Sequence, residues 1–115
     1  MSISLKRVYE SSEKSDGVRI LVDRIWPRGV TKEKANVDLW IKEVTPSTEL
    51  RKWFGHDPEK WTHFQKQYRE ELKDNQALSD IRAMSREQHV TLIYAAKDEQ
   101  HTHAIVLKRV LEEGV

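Results

Sequence analysis

The chain has 115 residues, enough for one domain that buries roughly two-thirds of its unfolded surface. Lys+Arg 20 against Asp+Glu 19 gives a formal charge of +1, which argues against a general polyanion binder but leaves room for a local basic cluster. Cysteine is absent, which excludes disulfides, thiolate catalysis and Cys-based metal sites; no apolar run approaches the ~20 residues of a membrane span and MSISLKRVYE lacks a signal core, so a cytoplasmic protein without a membrane partner is expected.

Residues Ile3–Tyr9 alternate weakly and predict a first strand. The polar stretch Glu10–Asp16, followed by Gly17, reads as a loop. Val18–Trp26 predicts a stronger strand. Val18, Ile20, Val22 and Trp26 fall on one face and Leu21 and Ile25 on the other, the pattern of a strand covered on both sides. Pro27 and Gly29 end it. Thr31 is suited to cap a short helix over Thr31–Ala35.

Val37–Val44 fits either a strand or a helix face; the strand is favoured because Thr45-Pro46-Ser47 then opens a helix over Thr48–Phe54, with Ser47 as its cap. Asp57 and Pro58 form a start signal for the next helix, whose stripe is Trp61, Phe64, Tyr68 and Leu72. That spacing makes the aromatic set core rather than a stacking platform for bases. Leu78, Ile81 and Met84 mark another helix. Val90–Ala96 is a nearly continuous apolar strand. A last helix spans Thr102–Glu113, with Ala104, Leu107 and Leu111 inward and Gly114 as its stop. Buried strands interleaved with amphipathic helices predict a single three-layer α/β domain. Its four-stranded sheet is mostly parallel and flanked by helices, with room for an antiparallel first strand at an edge.

In open parallel sheets, ligands bind beyond the C-terminal ends of the strands. Two strong strands here end in charge: one in Asp23, Arg24 and Arg28, the other in Lys97 and Asp98. Arg offers a planar fork suited to carboxylate or phosphate, and Lys a point charge. The last helix starts just after Asp98, so its free N–H groups face the same edge. Arg24, Arg28 and Lys97 are therefore candidate anion ligands. Trp26 is a candidate aromatic wall, the simpler role being packing on the Trp61 helix. Asp98 or His103 is the acid–base candidate, since imidazole titrates near neutrality. Asp23 reads equally well as an ion-pair partner of a nearby Arg.

His101 and His103 diverge by about 200° on a helix, so no metal is expected. Ser47, His101 or His103, and Asp98 can be written as a catalytic triad, but no nucleophile-elbow motif supports one. Four glycines and neither GxGxxG nor a Walker A loop argue against classical dinucleotide or P-loop binding and leave any cofactor unknown. His56, His63 and His89 carry no signal of their own.

LKRVYE at 5–10, DGVRILVDRIWPRG at 16–29, DLWIKEVTPSTELRKWF at 38–54 and LIYAAKDEQHTHAIVL at 92–107 together closely resemble the YeaO-like family, catalogued as a domain of unknown function. The resemblance covers nearly the whole chain. It implies a small bacterial cytoplasmic protein with a compact α/β fold and no settled activity. Arg24, Trp26, Pro27, Arg28 and Gly29 match one signature, Pro46, Ser47, Leu50 and Arg51 a second, and Lys97, His103 and Ala104 a third. It thereby adds Ser47 and Arg51 to the candidate pocket. Thr102 stands where relatives commonly carry Asn; both cap helices. The combined expectation is a pocket for an anionic small molecule, nucleotide or phosphate-like, serving an enzyme or a sensor. The alternative is a non-enzymatic interaction or nucleic-acid-binding protein, against which the near-neutral charge counts for DNA but not for RNA or protein.

Overall fold

The computed structural model describes residues 2–113. Four strands, β1 (Ile3–Arg7), β2 (Val18–Leu21), β3 (Leu39–Trp40) and β4 (Val90–Tyr94), form one sheet in the order β1-β4-β2-β3. The helices are α1 (Lys32–Ala35), α2 (Thr48–Phe54), α3 (Trp61–Leu72), α4 (Gln76–Glu87) and α5 (His103–Glu113). Every strand pair is parallel, including β1 with β4 (Ile3 opposite Val90, Arg7 opposite Tyr94). The antiparallel edge allowed from the sequence is therefore absent. The reason is topological: β1 and β2 are consecutive but not adjacent, so no hairpin ties their directions, and both instead flank β4.

The two faces of the sheet are covered unequally. Ile20, Val22, Val90, Leu92 and Tyr94 meet α2, α3, α4 and α5 through Phe54, Phe64, Tyr68, Ile81, Leu107 and Leu111 in one large core. On the other face Val8, Leu21 and Ile93 meet only Val30, Ala35, Trp26, Val37 and Ala95. The third layer is thus the four-residue α1 and its flanking loops rather than a full helix. The loop from β1 to β2 supplies the polar part of that layer. It holds a single turn of 3-10 helix at Lys14–Asp16, whose Asp16 is buried against Lys6 and Arg19.

Local signals explain most elements. Thr31 caps α1, and Ser47 caps α2 with its hydroxyl accepting from Leu50 N–H. Asp57 and Pro58 open a 3-10 turn, Pro58–Lys60, that leads into α3. Thr102 Oγ1 accepts from Ala104 N–H at 3.4 Å at the head of α5. The proposed stop at Gly114 lies outside the described residues.

The strand expected over Val37–Val44 shrinks to Leu39–Trp40. Asp38 Oδ2 takes the Arg19 N–H at 2.9 Å, and a 3-10 turn at Lys42–Val44 ends the pairing. The strand expected to reach Trp26 stops at Leu21, although Val22 N–H still donates to the Ile93 carbonyl at 3.0 Å. Beyond it the chain swings out, and Ile25 is 67% exposed.

Candidate functional site

After β2 the chain passes to the thin face, toward Trp26, Val30 and Ala35. After β4 it passes to the thick face, where α5 packs. Adjacent strands whose continuations part in this way leave a crevice at their C-terminal ends. A cleft of about 680 Å³ lies there. Asp23, Arg24, Trp26 and Arg28 line it from the segment after β2, Ala95 and Ala96 from the end of β4, and Arg51, Lys52 and His56 from α2 and its exit. His103 contributes from α5, and Phe54 and Phe64 form an apolar floor, stacked with ring centroids 4.2 Å apart.

Asp23 does not pair with an Arg. Its Oδ2 accepts the Ala95 N–H at 2.9 Å, its carbonyl accepts Trp40 Nε1–H at 2.6 Å, and its Oδ1 lies 3.5 Å from His103 Nε2. Burial lifts the Asp23 carboxyl above its ordinary range, against the pull of His103, the Ala95 N–H and Arg51. Burial likewise pushes His103 down, helped by Arg51 and His56 and opposed by Asp23 and the Val22 carbonyl. The pair is thus drawn toward its neutral forms.

Arg24 is held by one bond, from an Nη to the Pro46 carbonyl at 3.2 Å. Its Nε is the one buried side-chain nitrogen or oxygen among the described residues without a hydrogen-bond partner. Arg28 is exposed, and its carbonyl is tethered by the Tyr9 hydroxyl at 3.2 Å. His56 reaches the cleft because Gly55 and His56 are both left-handed, at φ 52° and 57°. That conformation is ordinary for Gly and uncommon for His.

The residues expected at the site divide. Arg24, Trp26, Arg28, Arg51 and His103 line the cleft. Trp26 packs edge-on against Trp40 at 5.4 Å and donates to the Val30 carbonyl at 2.7 Å, rather than meeting the Trp61 helix. Ser47 stands aside: its N–H and hydroxyl bind the Glu71 carboxylate at 2.8 and 2.6 Å, clamping α2 to α3. Lys97 is exposed and outside the cleft.

Asp98 orders the loop before α5, accepting from Gln100 N–H, His101 N–H and the His101 ring, and these bonds hold its carboxyl below the usual range. His101 packs edge-on against Trp61, away from His103. Among the described residues no three His, Asp or Glu side chains cluster as metal ligands. Lys52 and His56 were not legible as site residues. The only signals were Lys52 beside Arg51 and the glycine preceding His56. Of the helix aromatics Phe54, Phe64 and Tyr68 are core, while Trp53 is exposed under Lys60.

Fold and cleft define a small parallel α/β domain with its cavity at the strand ends. A family profile described as "Inactive DUF488-N3 subclade" matches residues 2–115, and the chain belongs to that family. It is 47% identical over 111 residues to the uncharacterised protein YeaO of Escherichia coli K12, covering 93% of this chain and 94% of that one. It is 42% identical over 109 residues to the uncharacterised protein Rv3073c of Mycobacterium tuberculosis, covering 95% and 92%. No solved structure matches it significantly. Among the described residues no helix is long and apolar enough to cross a membrane.

Proposed function

We propose that the chain is a binding protein for a small anionic ligand of the phosphate or nucleotide class, held in the cleft at the ends of β2 and β4. One observation carries the reading. Arg24, Arg28, Arg51 and Lys52 line a cleft in which Asp23 is the one acidic wall residue among the described residues, in a chain whose total charge is +1. Among the described residues none of those four cations takes part in an ion pair. Cations left unpaired around a concave, partly apolar cavity suit an anion attached to an apolar or aromatic body. The family's description as an inactive subclade favours binding over turnover, so the role is that of a sensor or carrier rather than an enzyme.

The test is thermal unfolding with a panel of inorganic phosphate, pyrophosphate and mononucleotides. At least one should raise the melting temperature of the chain, and Arg51→Ala with Lys52→Ala should abolish the rise. A stabilisation that survives moderate salt supports a pocket. No stabilisation by any member, together with a salt-sensitive shift on a nucleic-acid gel, overturns it in favour of a nucleic-acid binder.

A further inference from the structure

The charged side chains of the cleft are mostly hydrogen-bond donors; besides the Asp23 carboxylate, His103 offers an acceptor. Its Nε2 lies 2.7 Å from the Val22 carbonyl oxygen. A carbonyl only accepts, so Nε2 carries the proton and donates it. In the neutral ring the lone pair is then on Nδ1. No hydrogen bond among the described residues reaches Nδ1, and it is not among the fully buried atoms lacking a partner, so it keeps some exposure on a largely buried ring that lines the cleft.

The charged and titratable groups around the ring are Asp23, Arg51 and His56, with the Tyr68 ring edge-on at 6.2 Å and its hydroxyl already donated to the Val44 carbonyl. Arg24, Arg28 and Lys52 share the cleft. Asp23 spends one carboxylate oxygen on Ala95 N–H and turns the other toward Nε2. The nitrogen of His103 is therefore an acceptor set among cations.

We propose that His103 Nδ1 determines specificity: the bound ligand carries, next to its anionic group, a hydroxyl or amine hydrogen that it donates to this nitrogen. The inference rests on the anion-cleft reading and narrows it from any phosphate to a hydroxylated or amino-bearing phosphate ester. A ligand with the same anion and no such hydrogen strips water from Nδ1 without replacing its hydrogen bond, and should bind about tenfold more weakly or worse.

Glycerol 3-phosphate and n-propyl phosphate are the probes, matched in chain length and anion and differing only in hydroxyls. Both are titrated into the full chain at a pH of about 8, above the ordinary imidazole range, with binding and the His103 ring nitrogen resonances followed by NMR. The expected result is tighter binding of glycerol 3-phosphate, a change at Nδ1 with that probe alone, and loss of the preference in His103→Leu. If that variant fails to fold, the two probes and the Nδ1 signal on the wild-type chain still decide. Equal affinities, or a preference that leaves Nδ1 unmoved, overturn the role of His103 and leave the anion cleft intact. If neither probe perturbs cleft residues, the cleft reading falls and the role of His103 with it.

Discussion

Two groups of cations sit in this small domain, one buried or half-buried and the other mostly exposed at the cleft, and they are built on opposite terms. On the thin face of the sheet, Arg19 is 2% exposed and fully engaged. It binds the Asp16 carboxylate, the Asn36 carbonyl at 2.9 Å and the Ala35 carbonyl at 2.7 Å. Lys6 reaches Glu13 and Asp16 at 2.9 and 3.0 Å, and the Thr91 hydroxyl donates to the Asp16 carbonyl at 2.7 Å. At the strand ends, Arg24, Arg28, Arg51 and Lys52 have no carboxylate partner among the described residues, and Arg24 keeps an unpartnered buried nitrogen. A satisfied network fixes loops onto a sheet; an unsatisfied one reserves its donors for something that arrives.

The contrast is broken most directly at Asp16. Asp16→Ala leaves Arg19 and Lys6 without their shared carboxylate and should cost about 3–5 kcal/mol, read by urea denaturation. Arg51→Ala, on the exposed side of the cleft, should stay within about 0.5 kcal/mol of the wild type. Equal losses from the two would erase the distinction.

A bound anion should close the gap from the other side. At a ligand concentration of about one hundred times Kd, the chain gains roughly 2.7 kcal/mol, and Arg51→Ala with Lys52→Ala forfeits it while Asp16→Asn retains whatever its weakened fold allows. Ligand-dependent melting curves give the answer.

Smaller still is the effect of His56. Its left-handed backbone is the kind of strain that persists at functional sites. His56→Gly should stabilise the free chain by on the order of 1 kcal/mol and weaken anion binding at the same time. A gain in stability with unchanged binding would separate His56 from the cleft's work.

The subtlest difference is in pH dependence. Burial depresses His103, so the folded state holds fewer protons there than the unfolded state, and stability falls as the pH drops through the ordinary imidazole range. Asp16 also titrates low in the fold: burial raises it, but the Glu13 N–H, Lys6 and Arg19 outweigh burial. Its stabilising contribution is present above the ordinary carboxylate range and disappears only as the pH falls through its lowered value. Asp23 has the opposite sign, being raised, and its contribution declines as the pH climbs through that raised value. Unfolding monitored against pH should therefore show a near-neutral loss that His103→Gln flattens and an acidic loss that it leaves in place.

The sequence carried the succession of strands and helices along the chain and several helix caps, because these depend on neighbours a few residues apart. Thr31 caps α1, Ser47 caps α2, and Asp57 caps the turn that leads into α3. The alternation of Val18–Val22 also marks a real strand, but Ile25 and Trp26 continue the pattern after the chain has left the sheet, and Ile25 ends up in solvent. The direction of β1 was not legible, since alternation is the same in either sense and its partner lies far along the chain. At the site, Arg24 and Arg28 were marked by the abrupt end of an apolar run, and the matching run ending at Ala96 predicted the second wall. Lys97 and Asp98 failed because a strand end fixes a locality, not which side chains turn inward. Asp98 is taken by its own loop. The His103 tautomer, set by the carbonyl of Val22, depends on a contact 81 positions away that no local pattern records.

The place of β4 in the sheet bears on how the molecule comes into being. It is the last strand in the chain and lies between the first two, with Ile3 and Val18 both opposite Val90. During synthesis β1 therefore emerges with no neighbour to pair with and β2 with only the two-residue β3, and the edges that face β4 wait until that strand has been made. Sheet formation must then come after closure of loops spanning most of the sequence, a topology that favours slow folding. The helices α2, α3 and α4, made in the interval, are the segment at hand to shield those strands before their common partner arrives.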